Sequence, residues 1–69
     1  MTEWTDARLD ERDRMVASLR RFYSQRDAYR WLQAPHHALG GRSPNGLILQ
    51  DAAAEVWAEI DRLATGAYA

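Results

Sequence analysis

The chain contains neither cysteine nor lysine, only two prolines and four glycines, and almost no net charge. Without cysteine no disulfide can staple the fold. The histidines are limited to the adjacent pair His36 and His37, too few ligands for a structural zinc site. No apolar run approaches the roughly 18 residues that a membrane span needs. The first ten residues are acidic and polar rather than basic and then apolar, so no signal peptide is expected and the expected location is the cytoplasm. The scarcity of glycine and proline argues against disorder. A net charge of −1 leaves no excess positive field to neutralise a phosphate backbone, so nucleic-acid binding has poor electrostatic support.

What is present is the composition of a folded chain, 46% hydrophobic and 28% charged. Sixty-nine residues permit one domain, and a chain this short buries only about 60% of the surface its unfolded form exposes. Its core is therefore marginal, and oligomerisation or a bound partner is the remaining means of support. Every basic side chain is arginine, which suits bidentate contacts with carboxylate or phosphate, although the codon bias of a GC-rich genome accounts for it more simply.

The apolar pattern is helical throughout. Little core is expected before Met15, and from there Met15, Val16, Leu19, Phe22 and Tyr23 recur at spacings of three and four, predicting a first helix over residues 6–23. Ser24 opens a Ser-x-x-Asp arrangement with Asp27, so a second helix should run from its cap to Gln33 and stop before Pro35. Residues 36–42 hold the pair Gly40-Gly41 and no periodicity, which predicts a loop with positive φ at a glycine. Ser43 and Pro44 are a cap and a first helical residue, predicting one or two turns over 44–49. Asp51 is the expected N-cap of the last helix, on which Ala53, Val56, Trp57, Ile60, Leu63 and Ala64 form an unbroken stripe and Glu55, Glu59, Asp61 and Arg62 take the other faces. Gly66 is placed to end it in a left-handed cap. The expected fold is all-α, a small bundle of about four helices with a Gly-Gly loop before a short third helix.

Catalytic raw material is thin. Ser18, Ser24 and Ser43 read as one surface residue and two caps, and no nucleophile-elbow or phosphate-loop motif occurs, so an enzyme is not expected and no cofactor is implied. Adjacent histidines in a loop point apart and do not share an ion. Arg20, Arg21, Arg26 and Arg30 surround Tyr23 and Tyr29, the pattern of a nucleic-acid surface. Asp10, Glu11, Asp13 and Asp27 nevertheless offer helix-spaced partners, such as Asp10 with Arg14, and favour a solvated mixed-charge face. Trp31 and Trp57 fall on apolar faces and are expected in the core, whereas Trp4 and Tyr68 lie near the ends and are candidates for contact with another chain.

The run Tyr29-Arg30-Trp31-Leu32, then Pro35, then Ala38-Leu39-Gly40-Gly41-Arg42-Ser43-Pro44 resembles the C-terminal toxin-binding domain of the MbcA/ParS/Xre antitoxin family. Its elements are a helix with a Trp-Leu pair, a spacer to proline, a Leu-Gly-Gly loop and a Ser-Pro helix start. The following helix and the glycine-aromatic ending Gly66-Ala67-Tyr68 fit as well. The likeness covers residues 26–69, with residues 1–25 as an N-terminal helix and lead-in folded into one compact unit with them.

The resemblance implies a protein partner, a RES-domain toxin that consumes NAD and is held inactive by an antitoxin lying over its active-site cleft. Carried onto this chain, Gly66, Ala67, Tyr68 and Ala69 would approach the cleft, with Tyr68 as an aromatic anchor. Leu39, Gly40, Gly41, Arg42, Ser43 and Pro44 would shape the surface that presents them, and Arg42 would pair with an acidic group of the toxin. Many family members carry a helix-turn-helix before this domain. The residues preceding it here are too few for that unit, so direct binding of a promoter is not expected. The alternative is a homodimeric adaptor in which the last helix and Trp4 pack against a second copy.

Overall fold

A computed structural model of the chain describes residues 3–66. Thr5 begins the first helix: its backbone is extended and its hydroxyl accepts the Arg8 N–H at 3.3 Å, satisfying one of the donors that a helix start leaves unpaired. Helix α1 is Asp6–Leu19, α2 is Gln25–Gln33, α3 is Pro44–Leu49 and α4 is Ala53–Ala64, with a single 3₁₀ turn, His37–Leu39, between α2 and α3. The described residues contain four α-helices and no strand, so the all-α reading holds.

The short α3 sits at the centre, packed against α1, α2 and α4. Its Leu47 and Ile48 meet Met15, Val16 and Leu19 of α1, Ala28 and Leu32 of α2, and Val56 and Ile60 of α4 in one buried cluster, to which the 3₁₀ turn adds Leu39. Two of the expected caps are present. Ser24 Oγ accepts the Asp27 N–H at 3.2 Å, and Ser43 Oγ accepts the Gly46 N–H at 3.1 Å with Pro44 in the first turn. The surface pair Asp10–Arg14 forms at 2.6 Å; this hydrogen bond and the nearby charges of Asp10 and Glu11 raise the arginine's pKa above its ordinary value.

Several expectations need correction. The first helix stops at Leu19, not Tyr23. Ser24 must be extended to cap α2, so the chain reverses just before it, through tighter bonds from Arg21 N–H to Ser18 O and Phe22 N–H to Leu19 O.

Asp51 is not the N-cap of α4. Ala52 occupies that position with no side-chain cap, while Asp51 stands at φ +59°, the left-handed residue that ends α3. The bonds from Asp51 N–H to Ile48 O and from Ala52 N–H to Leu47 O form a Schellman closure that glycine usually makes. Aspartate tolerates this backbone better than most residues, and its carboxylate receives Arg8 Nη2 at 3.1 and 3.3 Å.

Glu59, expected on the polar face of α4, is 8% exposed and bound to Arg62 at 2.9 Å, and Ala64 at the end of the apolar stripe is exposed. Trp31 and Trp57 are half-buried at the rim of the core rather than inside it. The Trp57 indole N–H extends from that rim to donate to Glu11 Oε2 at 2.6 Å. Nor is Trp4 free at a frayed end. It packs on the core, and the Arg12 guanidinium stands 4.9 Å from its ring centre and 5.7 Å from that of Tyr29, within the range of cation–π attraction to both.

Candidate functional site

The loop between α2 and α3 is built by its own backbone. Ala34, before Pro35, leaves the helical region at ψ 144°, as the proline ring requires. His36 continues extended and forms an antiparallel bridge with Arg42, the His36 N–H donating to Arg42 O at 3.2 Å. Inside the bridge the Leu39 and Gly41 N–H groups both donate to His36 O, at 3.0 and 2.9 Å. Two successive left-handed residues, Gly40 at φ +69° and Gly41 at φ +80°, make this closure possible. A Cβ on Gly41 would meet nothing within 4 Å, so its requirement is conformational rather than steric.

Side chains then fix the loop to the helices. Leu39 is buried in the core. His36 Nε2 lies 2.7 Å from Trp31 O, so that nitrogen carries the proton, and its ring rests on the Trp31 indole with centroids 4.6 Å apart. Arg42 is clamped twice within the chain, Nε donating to Leu39 O at 2.9 Å and Nη2 to Glu55 Oε1 at 2.8 Å. Its charge is therefore already answered by Glu55, which spacing alone did not single out as its partner.

The residues anticipated for binding fall into two separate places. Of the loop set, Leu39 and Pro44 are buried, Ser43 is half-buried and occupied as a cap, and Gly40, Gly41 and Arg42 are exposed. Gly66 is exposed just past the other end of α4, at φ +72° and hydrogen-bonded to Leu63 O. Glu55, where Arg42 anchors the loop, is in the first turn of α4, and eleven residues of helical rise put about 16 Å between that level and Gly66. The structure does not bring loop and Gly66 into one patch. Ala67, Tyr68 and Ala69 lie outside the described residues.

Two open grooves flank α4. One, of about 220 Å³, lies between α1 and the α3–α4 junction, over Ala7, Ile48 and Ala53 with Arg8, Glu11 and Asp51 around it. The other, of about 480 Å³, has Trp57 and Ile60 for a floor, Ser18 and Arg21 on one side and Ala54, Ala58 and Asp61 on the other. Neither is lined by a histidine, and among the described residues no three His, Asp or Glu side chains gather as a metal site. The chemistry that these surfaces offer is recognition through apolar contact, arginine and exposed backbone.

No curated protein and no solved structure matches the chain. The sequence model described as the antitoxin Xre/MbcA/ParS C-terminal toxin-binding domain matches residues 18–66, most of the chain, from the last two residues of α1 through Gly66. The chain belongs to that antitoxin family and carries its toxin-binding domain.

Proposed function

We propose that this protein is a stoichiometric inhibitor in the cytoplasm that binds a RES-domain, NAD-consuming toxin and lies over its active-site cleft, without chemistry of its own. The observation that carries this reading is the family match across residues 18–66. The geometry adds physical support. The Leu-Gly-Gly loop is held by backbone closure and by the Arg42 clamp, so its exposed backbone meets a partner with little ordering cost. Gly66 turns the chain out of α4 in a left-handed cap. Residues Ala67, Tyr68 and Ala69 are then the segment that would enter the cleft, with Tyr68 as anchor, while Gly40, Gly41 and Arg42 form a second contact nearer the start of α4.

The test is co-expression with the protein encoded by the adjacent gene, followed by purification of the complex and an assay of NAD consumption with and without this chain. A complex that is silent until the chain is removed is the expected result. Removing residues 66–69 should restore NAD consumption while the helical signal of the free chain is kept. A neighbour that does not bind, or that consumes NAD equally when bound, overturns the proposal.

A further inference from the structure

The nine arginines of the chain divide into two groups. Arg8, Arg14, Arg42 and Arg62 each meet a carboxylate, of Asp51, Asp10, Glu55 and Glu59, and Arg12 lies between two aromatic rings. The other four, Arg20, Arg21, Arg26 and Arg30, are exposed and pair with no carboxylate among the described residues. They are successive among the arginines and lie within eleven residues, at the turn after α1 and on α2. Arg26 and Arg30 are four apart on α2, each two residues from buried Ala28, and so face away from the core.

Of the four carboxylates expected to neutralise this cluster, Asp10 is used by Arg14 and Glu11 by Trp57, and neither Asp13 nor Asp27 forms an ion pair with it. Residues 18–34 hold these four arginines and one acid, Asp27, a local charge of +4 − 1 = +3, so a chain of net −1 carries −4 over the rest. Within the positive segment stands Phe22, a large apolar side chain left 43% exposed. The Arg21 guanidinium lies 5.4 Å from its ring centre, and Arg21 Nε is held by Ser18 O at 3.2 Å. Arginine beside an exposed aromatic is the composition of an interface anchor.

We infer that the α1–α2 turn and the outer face of α2 are a docking surface for an acidic patch of the partner toxin, with Phe22 as apolar anchor and Arg20, Arg21, Arg26 and Arg30 as carboxylate-binding groups. The inference rests on the toxin-binding reading above and adds a contact outside the Gly-Gly loop residues. The whole segment lies inside the residues that match the toxin-binding domain. A folded protein with a confined acidic patch engages the +3 segment alone. A long nucleic acid would also meet the field of the −4 remainder, and is disfavoured on that ground.

The test measures binding to the co-expressed toxin by surface plasmon resonance at 50 and 300 mM salt. The variants replace the four arginines together by Gln, the four together by Lys, and Phe22 by Ser, each checked for helical signal and melting. The Gln variant should associate about tenfold more slowly than the wild type at low salt and lose most of the salt dependence. The Lys variant should keep most of the association rate, and Phe22→Ser should dissociate faster. If the Gln variant melts early, Arg26→Gln with Arg30→Gln, both on the outer face of α2, is used in its place and should show a smaller loss of the same kind. A wild type that binds while the Gln variant matches it within twofold at both salts overturns this inference and leaves the toxin-binding proposal intact; a wild type that does not bind overturns both. A 20-base-pair duplex serves as the other probe. Duplex binding with a log–log salt slope near about −3.6 for four contacts, lost in the Gln variant while toxin binding is unchanged, would reassign the surface to nucleic acid.

Discussion

Replacing Glu55 by Gln distinguishes two roles for Arg42 by the sign of the effect. In the free chain the guanidinium is shared between Leu39 O and Glu55 Oε1, at 2.9 and 2.8 Å. Both partners of the ion pair are about half exposed, 48% and 49%, so its contribution to stability is that of a surface pair, about 0.2–1 kcal/mol. The bond to Leu39 O is part-buried and made by a charged donor. Arg42→Ala, which removes both bonds, should therefore cost about 1–2 kcal/mol, and Glu55→Gln at most about 1 kcal/mol. If Arg42 serves binding by holding the loop, Glu55→Gln loosens the same clamp and weakens toxin affinity, by about 1.4- to 5-fold if the lost energy is fully transmitted. If Arg42 instead swings out to a toxin carboxylate, Glu55 competes with the toxin, and its removal tightens the complex. The assay is the dissociation constant for the toxin across the wild type, both single variants and the double variant, beside urea unfolding of the free chains. Tighter binding by Glu55→Gln together with weaker binding by Arg42→Ala would refute the clamp.

Gly41→Ala should lower stability by about 1 kcal/mol, since a left-handed alanine costs about 1–2 kcal/mol and the stiffer unfolded chain returns about 0.4–1 kcal/mol. An unchanged urea midpoint would contradict the conformational account of the loop. Trp57→Phe removes the 2.6 Å bond to Glu11 and should cost about 1–2 kcal/mol. Combined with Glu11→Ala it should lose less than the two single effects added together, and strict additivity would show that the bond contributes nothing.

Features governed by chemistry within a few residues were legible in the sequence. Ser24, Ser43 and Pro44 cap and start helices because they satisfy or dispense with orphan N–H groups locally, and Pro35, Gly40, Gly41 and Gly66 restrict or free φ by covalent structure alone. Asp51 misled for an instructive reason. An aspartate before an alanine-rich helix has the form of an N-cap, but the need to close α3 in the left-handed region, and Arg8 approaching from 43 positions away, placed it differently. Phe22 and Tyr23 continue the spacing of α1 after the helix itself has stopped, because periodicity does not record where a chain must reverse. In the candidate site, Gly40 and Gly41 could be read in advance. The partnership of Arg42 with Glu55 could not, since two half-exposed side chains thirteen positions apart meet only once α3 has been folded between them.

The match to the toxin-binding domain begins at residue 18, inside α1, but the physical unit begins earlier. Met15 and Val16 are buried, at 0% and 8% exposure, in the same cluster as the helices that follow. Before them, Arg8 reaches Asp51 at the end of α3, Glu11 receives the Trp57 indole of α4, and the Arg12 guanidinium lies over the Tyr29 ring of α2. One half-helix thus ties down every other α-helix of the bundle. For a chain this size the total stability is about 3–10 kcal/mol, and burying Met15 and Val16 contributes about 1.5–3 kcal/mol each. Those two side chains alone are comparable with the whole margin, in a fold with no disulfide to supplement it. The part of α1 before residue 18 is therefore packing for the surfaces proposed to meet the toxin, and the sequence signature of the family covers less than the core that holds those surfaces in shape.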